Sequence, residues 1–390
     1  MREPRSQPLT AAVVAKSTQE PQIHFEIDRQ RQQADYTWFR GEHCNFNPKL
    51  KNLRNARDIV AHVLQGWMPE APVIDSTTRI AAFGSCFAEH ISAWLARRDF
   101  AILTRKDGNY KSSYLVRFGE GMVNTFALRQ QFEWAFEGKR AEGELWHGYD
   151  ARAFGYDEDV RVGTRALFDR TDLFIITLGL SEVWYDAVTG GVLWRAVPRE
   201  KYDPARHRFR VSSVEENRAN IRAIYDLIRT YRPTARIIFT LSPIPLVATF
   251  RPVSCITANS VSKAILRAAL DDVLRDIGPE GRAFYWPSYE IVTDIFDHQW
   301  LPDRRHVKDE VLDFIMTLFE SVWCQGEPRM TLDEAWARAR WVTRGLPRGF
   351  EKALLPLVAW CARRRARLVG GHAPAPRTIT REHRGKPGVA

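Results

Sequence analysis

The chain has 390 residues, of which 45% are apolar, with 13 Trp and 21 Phe; this is enough to bury a large core and excludes disorder over most of its length. Lys and Arg outnumber Asp and Glu by 57 to 47, a formal net charge of +10, so acidic partners have to be weighed. The five cysteines, Cys44, Cys86, Cys255, Cys324 and Cys361, are scattered and form no CxxC pair, which argues against a disulfide framework or a zinc site.

Residues 1–35 mix Gln, Arg, Pro and Thr without sustained periodicity, the pattern of a loosely ordered leader. Residues 36–67 scatter aromatic side chains among Asn, Arg and Pro and read as an arm over the main domain. The first clear unit is the apolar run 79–83, which ends in Gly84-Ser85 and is followed by Phe87, Ile91, Trp94 and Leu95 at helical spacing. That is strand, tight turn, helix. Strand signals recur at 173–178, 236–241 and 283–286, with a shorter one at 100–103. Between them, Ser212 with Glu215 reads as a capping box ahead of Ile221, Ile224, Tyr225 and Ile228. A helix over 258–277 puts Leu266, Leu270, Val273 and Ile277 on one face and stops at Gly278-Pro279. Val307, Val311, Phe314, Ile315, Leu318 and Phe319 mark the last helix of this unit.

Strands alternating with helices of this length predict a parallel sheet covered on both faces, joined by right-handed crossovers. Beyond residue 325 the pattern changes to a helical extension over 326–366, around 332–342 and 350–361, followed by a basic disordered tail over 367–390. That tail, with Arg377, Arg381, Arg384 and Lys386 against Glu382 alone, is either a solvated extension or a contact for nucleic acid or anionic lipid. No stretch reaches the roughly twenty apolar residues of a membrane helix, and no signal-like start is seen. The expectation is a soluble, cytoplasmic protein with no membrane span, no metal and no cofactor.

Ligands in such sheets bind beyond the carboxyl ends of the strands, and Ser85 stands at one. Ser85 is there either as a helix N-cap or as a nucleophile, with the free N–H groups of the helix start ready to stabilise an oxyanion. Asp303-Arg304-Arg305-His306 lies just before the last helix, where a base and its orienting carboxylate can share one short loop. Asp303 alone reads equally as a cap. Cys86 is a second potential nucleophile, though neighbouring residues at a strand end point in different directions, and it reads better as a small packed residue. His90, His147, His207 and His298 have no partner at metal-ligand spacing.

Gly84-Ser85-Cys86-Phe87-Ala88 spells the motif for which the GSCFA family is named, and the chain resembles that family and, through it, the SGNH or GDSL-like hydrolases. The likeness extends to residues 123–126 (VNTF) with 128–130 (LRQ), 177–184 (TLGLSEVW), 242–245 (SPIP), Asn259-Ser260 with Ser262-Lys263, and 285–290 (YWPSYE). It covers residues 36–325. The resemblance implies a three-layer α/β/α, flavodoxin-like domain with Ser85 as nucleophile, His306 as base and Asp303 as its partner. It further implies an oxyanion hole drawn from the Ser85 N–H, Gly121 (or Gly119), Asn124, Gly179 and Ser181. Ser181, a shorter donor, stands where SGNH enzymes usually carry asparagine. Trp184, Tyr185 and Trp194 either line a sugar-sized groove or belong to the core. The function expected on this analogy is hydrolysis or transfer of acyl groups on carbohydrate through an acyl-enzyme, with a glycan or small-molecule ester and a sugar acceptor as partners. The alternative is a catalytically weak protein of the same fold that binds glycan or nucleic acid, nucleic acid being the less favoured ligand.

Overall fold

A computed structural model describes residues 22–27, 29–35, 39, 44–118, 121–148, 151–346 and 348–369. An antiparallel hairpin of β1 (Gln22–Ile27) and β2 (Gln30–Asp35) comes first, then α1 (Ala56–Val63), β3 (Ile80–Phe83) and α2 (Cys86–Ala96). There follow α3 (Tyr114–Arg117), α4 (Thr125–Glu137), the short pair β4 (Trp146–His147) and β5 (Ala153–Phe154), and α5 (Glu158–Arg170). Next are β6 (Leu173–Leu178), the hairpin β7 (Glu182–Asp186) and β8 (His207–Val211), α6 (Val214–Tyr231), β9 (Arg236–Leu241) and α7 (Cys255–Ile277). The chain continues through β10 (Ala283–Trp286), α8 (Ser288–Ile295), α9 (Asp309–Trp323), α10 (Leu332–Val342) and α11 (Arg348–Val369). Residues 1–21 of the expected leader and 370–390 of the expected basic tail lie outside the described residues; 367–369 close α11.

Four strands, in the order β3-β6-β9-β10 and all parallel, form the central sheet. Their side chains alternate between two apolar layers, as the strand period of two requires. Ala81, Phe83, Phe174, Ile176, Ile237 and Phe239 face a core closed by α4, α5, α6 and α7. Ile80, Ala82, Leu173, Ile175, Ile238 and Trp286 face the other, closed by α1, α2, α8, α9 and α10. This is the three-layer α/β/α arrangement with helices on both faces.

Three details differ from the expected elements. Val307, expected in the last helix, lies ahead of α9 and bridges Trp300. The run 100–103 forms no strand of its own but a single parallel bridge between Ile102 and Ile80 at the β3 edge. The capping box moves on by one residue: Ser213 Oγ accepts from Glu216 N at 3.1 Å and the Glu216 carboxylate accepts from Ser213 N at 2.9 Å. Ser212 is instead buried and donates its hydroxyl to the Ser181 carbonyl at 2.7 Å.

Candidate active site

Ser85 is the N-cap of α2, with extended backbone and an Oγ that accepts from Phe87 N–H at 3.2 Å. It is only 4% exposed, and its own N–H has no acceptor among the described residues. Gly84 carries the chain from β3 into this cap with φ +125°. Cys86, the first residue of the helix, is half-buried.

Asp303 and His306 meet on a tight loop between α8 and α9. Its ends are tied by a bridge between Trp300 and Val307 and by Leu301 N–H donating to the His306 carbonyl at 2.7 Å. At its tip Arg304 takes a left-handed φ of 55°. One Asp303 oxygen accepts from Arg305 N and His306 N at 3.0 and 3.1 Å, and the other pairs with His306 Nδ1. These bonds, the imidazole's first, hold the Asp303 carboxyl well below the usual carboxylate range. The N-cap of α9 is Lys308, which makes no side-chain cap bond, so Asp303 caps the turn that holds His306 and not the following helix. With Nδ1 engaged by a carboxylate, Nε2 is the nitrogen left to act as a base.

His306 is near enough to α2 to act on the charge of His90. His90, one turn beyond Ser85, has its pKa lowered by burial, partly offset by Glu89 and Asp309, with His306 and Arg97 adding to the lowering. Ser85 Oγ accepts from Phe87 N–H, and among the described residues its own hydroxyl proton is donated to no group, His306 included.

Most of the expected oxyanion donors are already engaged. Gly121 N–H donates to the Phe118 carbonyl at 2.8 Å and Gly179 N–H to the Val123 carbonyl at 2.8 Å. Asn124 caps α4, its Oδ1 accepting from Ala127 N at 2.8 Å and its amide donating to the Trp194 carbonyl at 3.3 Å. Ser181 is fully buried, with its hydroxyl 3.3 Å from Ser262 Oγ and its N–H donating to that oxygen at 2.8 Å. Among the described residues the Ser85 N–H is a donor left without an acceptor.

A model of the GSCFA family matches residues 79–319, a span that holds all four sheet strands, Ser85 and the Asp303–His306 loop. The chain belongs to the GSCFA family. No curated protein matches it. Membership points to hydrolase-like chemistry.

In this GSCFA chain the three aromatic candidates part company. Trp194 is 1% exposed and packs against Tyr114, Phe118 and Trp146, so it is a core residue with no face left to line a groove. Trp184 is half-buried in an aromatic cluster with Tyr202, Phe209 and Phe250. Tyr185 is half-buried beneath the Arg210 guanidinium at 5.5 Å. Among the described residues no three His, Cys, Asp or Glu side chains come together to hold a metal, and no helix is long and apolar enough to cross a membrane.

One residue of the GSCFA blocks carries an unforeseen role. Lys263, on α7, is fully buried, and its Nζ donates to the carbonyls of Gly179 at 2.6 Å and Ile244 at 2.9 Å. It ties the loops after β6 and β9 together at the carboxyl edge. A lysine in a helix normally reads as solvated; here the only hint is that Ser262 and Lys263 interrupt an apolar face. Burial lowers its pKa to about 7. Below that pH the amine is charged in folded and unfolded chains alike, and the cost of burying the charge is fully present. Between pH 7 and the free lysine value of about 10.4 the folded chain has released a proton that the unfolded chain still binds, so stability rises with pH. Lys263→Met removes this dependence. In urea unfolding, wild-type stability minus variant stability should rise by on the order of 3 kcal/mol between about pH 6.5 and 9.5; a flat difference would show that the buried amine keeps its proton.

Proposed function

We propose that the protein is a serine-dependent ester hydrolase or O-acyltransferase that works through an acyl-enzyme, with acylated carbohydrate as the preferred substrate class by family analogy. What supports this reading is the bonded Asp303–His306 pair, whose imidazole acts on His90 of α2, the helix that Ser85 caps. In the first half-reaction Ser85 Oγ attacks the acyl carbonyl and His306 Nε2 takes its proton. The tetrahedral oxyanion meets the Ser85 N–H and the positive end of α2. Collapse expels the alcohol, which takes the proton from His306. In the second, a water or sugar hydroxyl gives its proton to His306 and attacks the acyl-Ser85 carbonyl, releasing acid or a new ester and restoring the serine.

A fluorophosphonate should label the wild-type protein and leave Ser85→Ala unlabelled. The engaged donors Gly121, Asn124, Gly179 and Ser181 favour a second reading, a glycan-binding protein of the same fold with little catalytic power. Folded wild-type protein that takes up no label would select that reading, because loss of one oxyanion donor already costs about 2.7–4 kcal/mol.

A further inference from the structure

From Ser85 a groove of about 350 Å³ runs along α2 between that helix and the segment after residue 103. Its apolar lining includes Phe83, Ala88, Ala96, Leu115 and Val116, together with the exposed Ala93. Of its polar residues, Thr104 and Ser92 are turned onto the edge strand: Thr104 Oγ1 accepts from Ala82 N at 3.1 Å, and Ser92 Oγ lies 3.5 Å from the Ala82 carbonyl. The edge of β3 is thereby satisfied by side chains, leaving methyl and methylene groups toward the groove. The outer rim is polar. Arg105 pairs with Asp107, Lys106 with Glu89, and Arg97 lies over the Trp94 ring. An apolar floor inside a polar rim is the build of a small-molecule site.

At its inner end stands Ser85, 4% exposed, whose hydroxyl accepts one hydrogen bond while its proton has no acceptor among the described residues. We infer that this groove takes the acyl moiety of the ester as an aliphatic chain lying along α2. The inference rests on Ser85 being the acylated residue and adds the substrate class that the site selects. By helical rise, the 11 residues of α2 span about 16 Å, so the groove has the length for a medium chain. The alanines on its helix wall leave open the space along α2 that a chain would fill and that a leucine there would occupy. Selection follows from the area of chain that is removed from water, which grows with each methylene.

Two substitutions on the helix wall outside the proposed catalytic residues, Ala93→Leu and Ala96→Leu, test this with nitrophenyl esters of acetate, dodecanoate and benzoate. Wild-type protein should prefer dodecanoyl to benzoyl. Each variant should lower kcat/KM for the dodecanoyl ester at least about tenfold while leaving the acetyl ester within about twofold, since a short chain does not reach the filled positions. Equal effects on both esters, or none on either, would overturn the assignment. A second measurement separates this from the catalytic reading: dodecanoate binding to Ser85→Ala protein by titration calorimetry, with and without Ala96→Leu. Binding that Ala96→Leu weakens about tenfold supports the groove even where no ester is turned over, an outcome that sinks only the catalytic proposal. Absence of dodecanoate binding overturns the groove whatever the turnover.

Discussion

Asp303→Asn is expected to fold as the wild type does and to lose ester turnover by between about 10² and 10⁴. The reason lies in which atoms of the carboxylate do what. One oxygen accepts from the N–H groups of Arg305 and His306, and an asparagine carbonyl can keep both bonds, so the turn survives. The other oxygen faces His306 Nδ1. An amide NH₂ there is a donor, and it favours the tautomer with the lone pair on Nδ1 and the proton on Nε2. The nitrogen meant to receive the serine proton is then already protonated. It also faces no negative charge to stabilise the imidazolium formed during reaction. The two side chains are 45% and 51% exposed, so stability depends little on the pair, and the loss should appear in kcat with unfolding unchanged. Turnover of purified Asp303→Asn near the wild-type rate would remove Asp303 from the catalytic group and leave it as the anchor of the turn.

The sheet was legible because its strands are buried on both faces. Residues 173–178, 236–241 and 283–286 are short, mostly apolar runs, and a buried parallel strand leaves that trace whatever lies around it. The Phe100 region carries a similar run but sits at the sheet edge, where β3 offers it only one bridge. The two candidates Ser212 and Ser213 are chemically alike, and only burial of the first against the Ser181 carbonyl decides which one caps α6. Of the site, the residue types that can attack, accept a proton and orient were readable, because Ser85 follows a strand and Asp303 and His306 share a loop. Whether a donor is already engaged was not. The Val123 carbonyl that takes the Gly179 N–H and the Ser262 hydroxyl that takes the Ser181 N–H come from segments more than fifty residues away, and no local pattern announces them. Lys263 is the same case in reverse, since nothing near it in sequence reveals that its amine reaches two distant carbonyls.

Gly84→Ala should destabilise the fold by roughly 2–6 kcal/mol, the combined cost of a positive φ and of overpacking, and should lower the melting temperature by roughly 10 °C. The position is confined twice over. Its φ of +125° is one that a side chain rarely adopts, and an added Cβ would lie 2.1 Å from the Thr177 carbonyl oxygen and 2.9 Å from its carbon. Thr177 cannot retreat, because it lies within β6, which is paired with β3 on one side and with β9 on the other, Thr177 itself facing Thr240. The strain must therefore move the end of β3, and that end carries Ser85 into the N-cap of α2. Labelling by fluorophosphonate should fall together with stability, even in the fraction that remains folded. Gly138→Ala gives the comparison: that glycine caps α4 with φ 68° but has nothing within 4 Å of an added Cβ, so it pays for conformation alone, about 1 kcal/mol. If Gly84→Ala proves no more destabilising than Gly138→Ala, the close approach of Gly84 to β6 is not what sets the Ser85 turn, and the turn must be held by the helix cap instead.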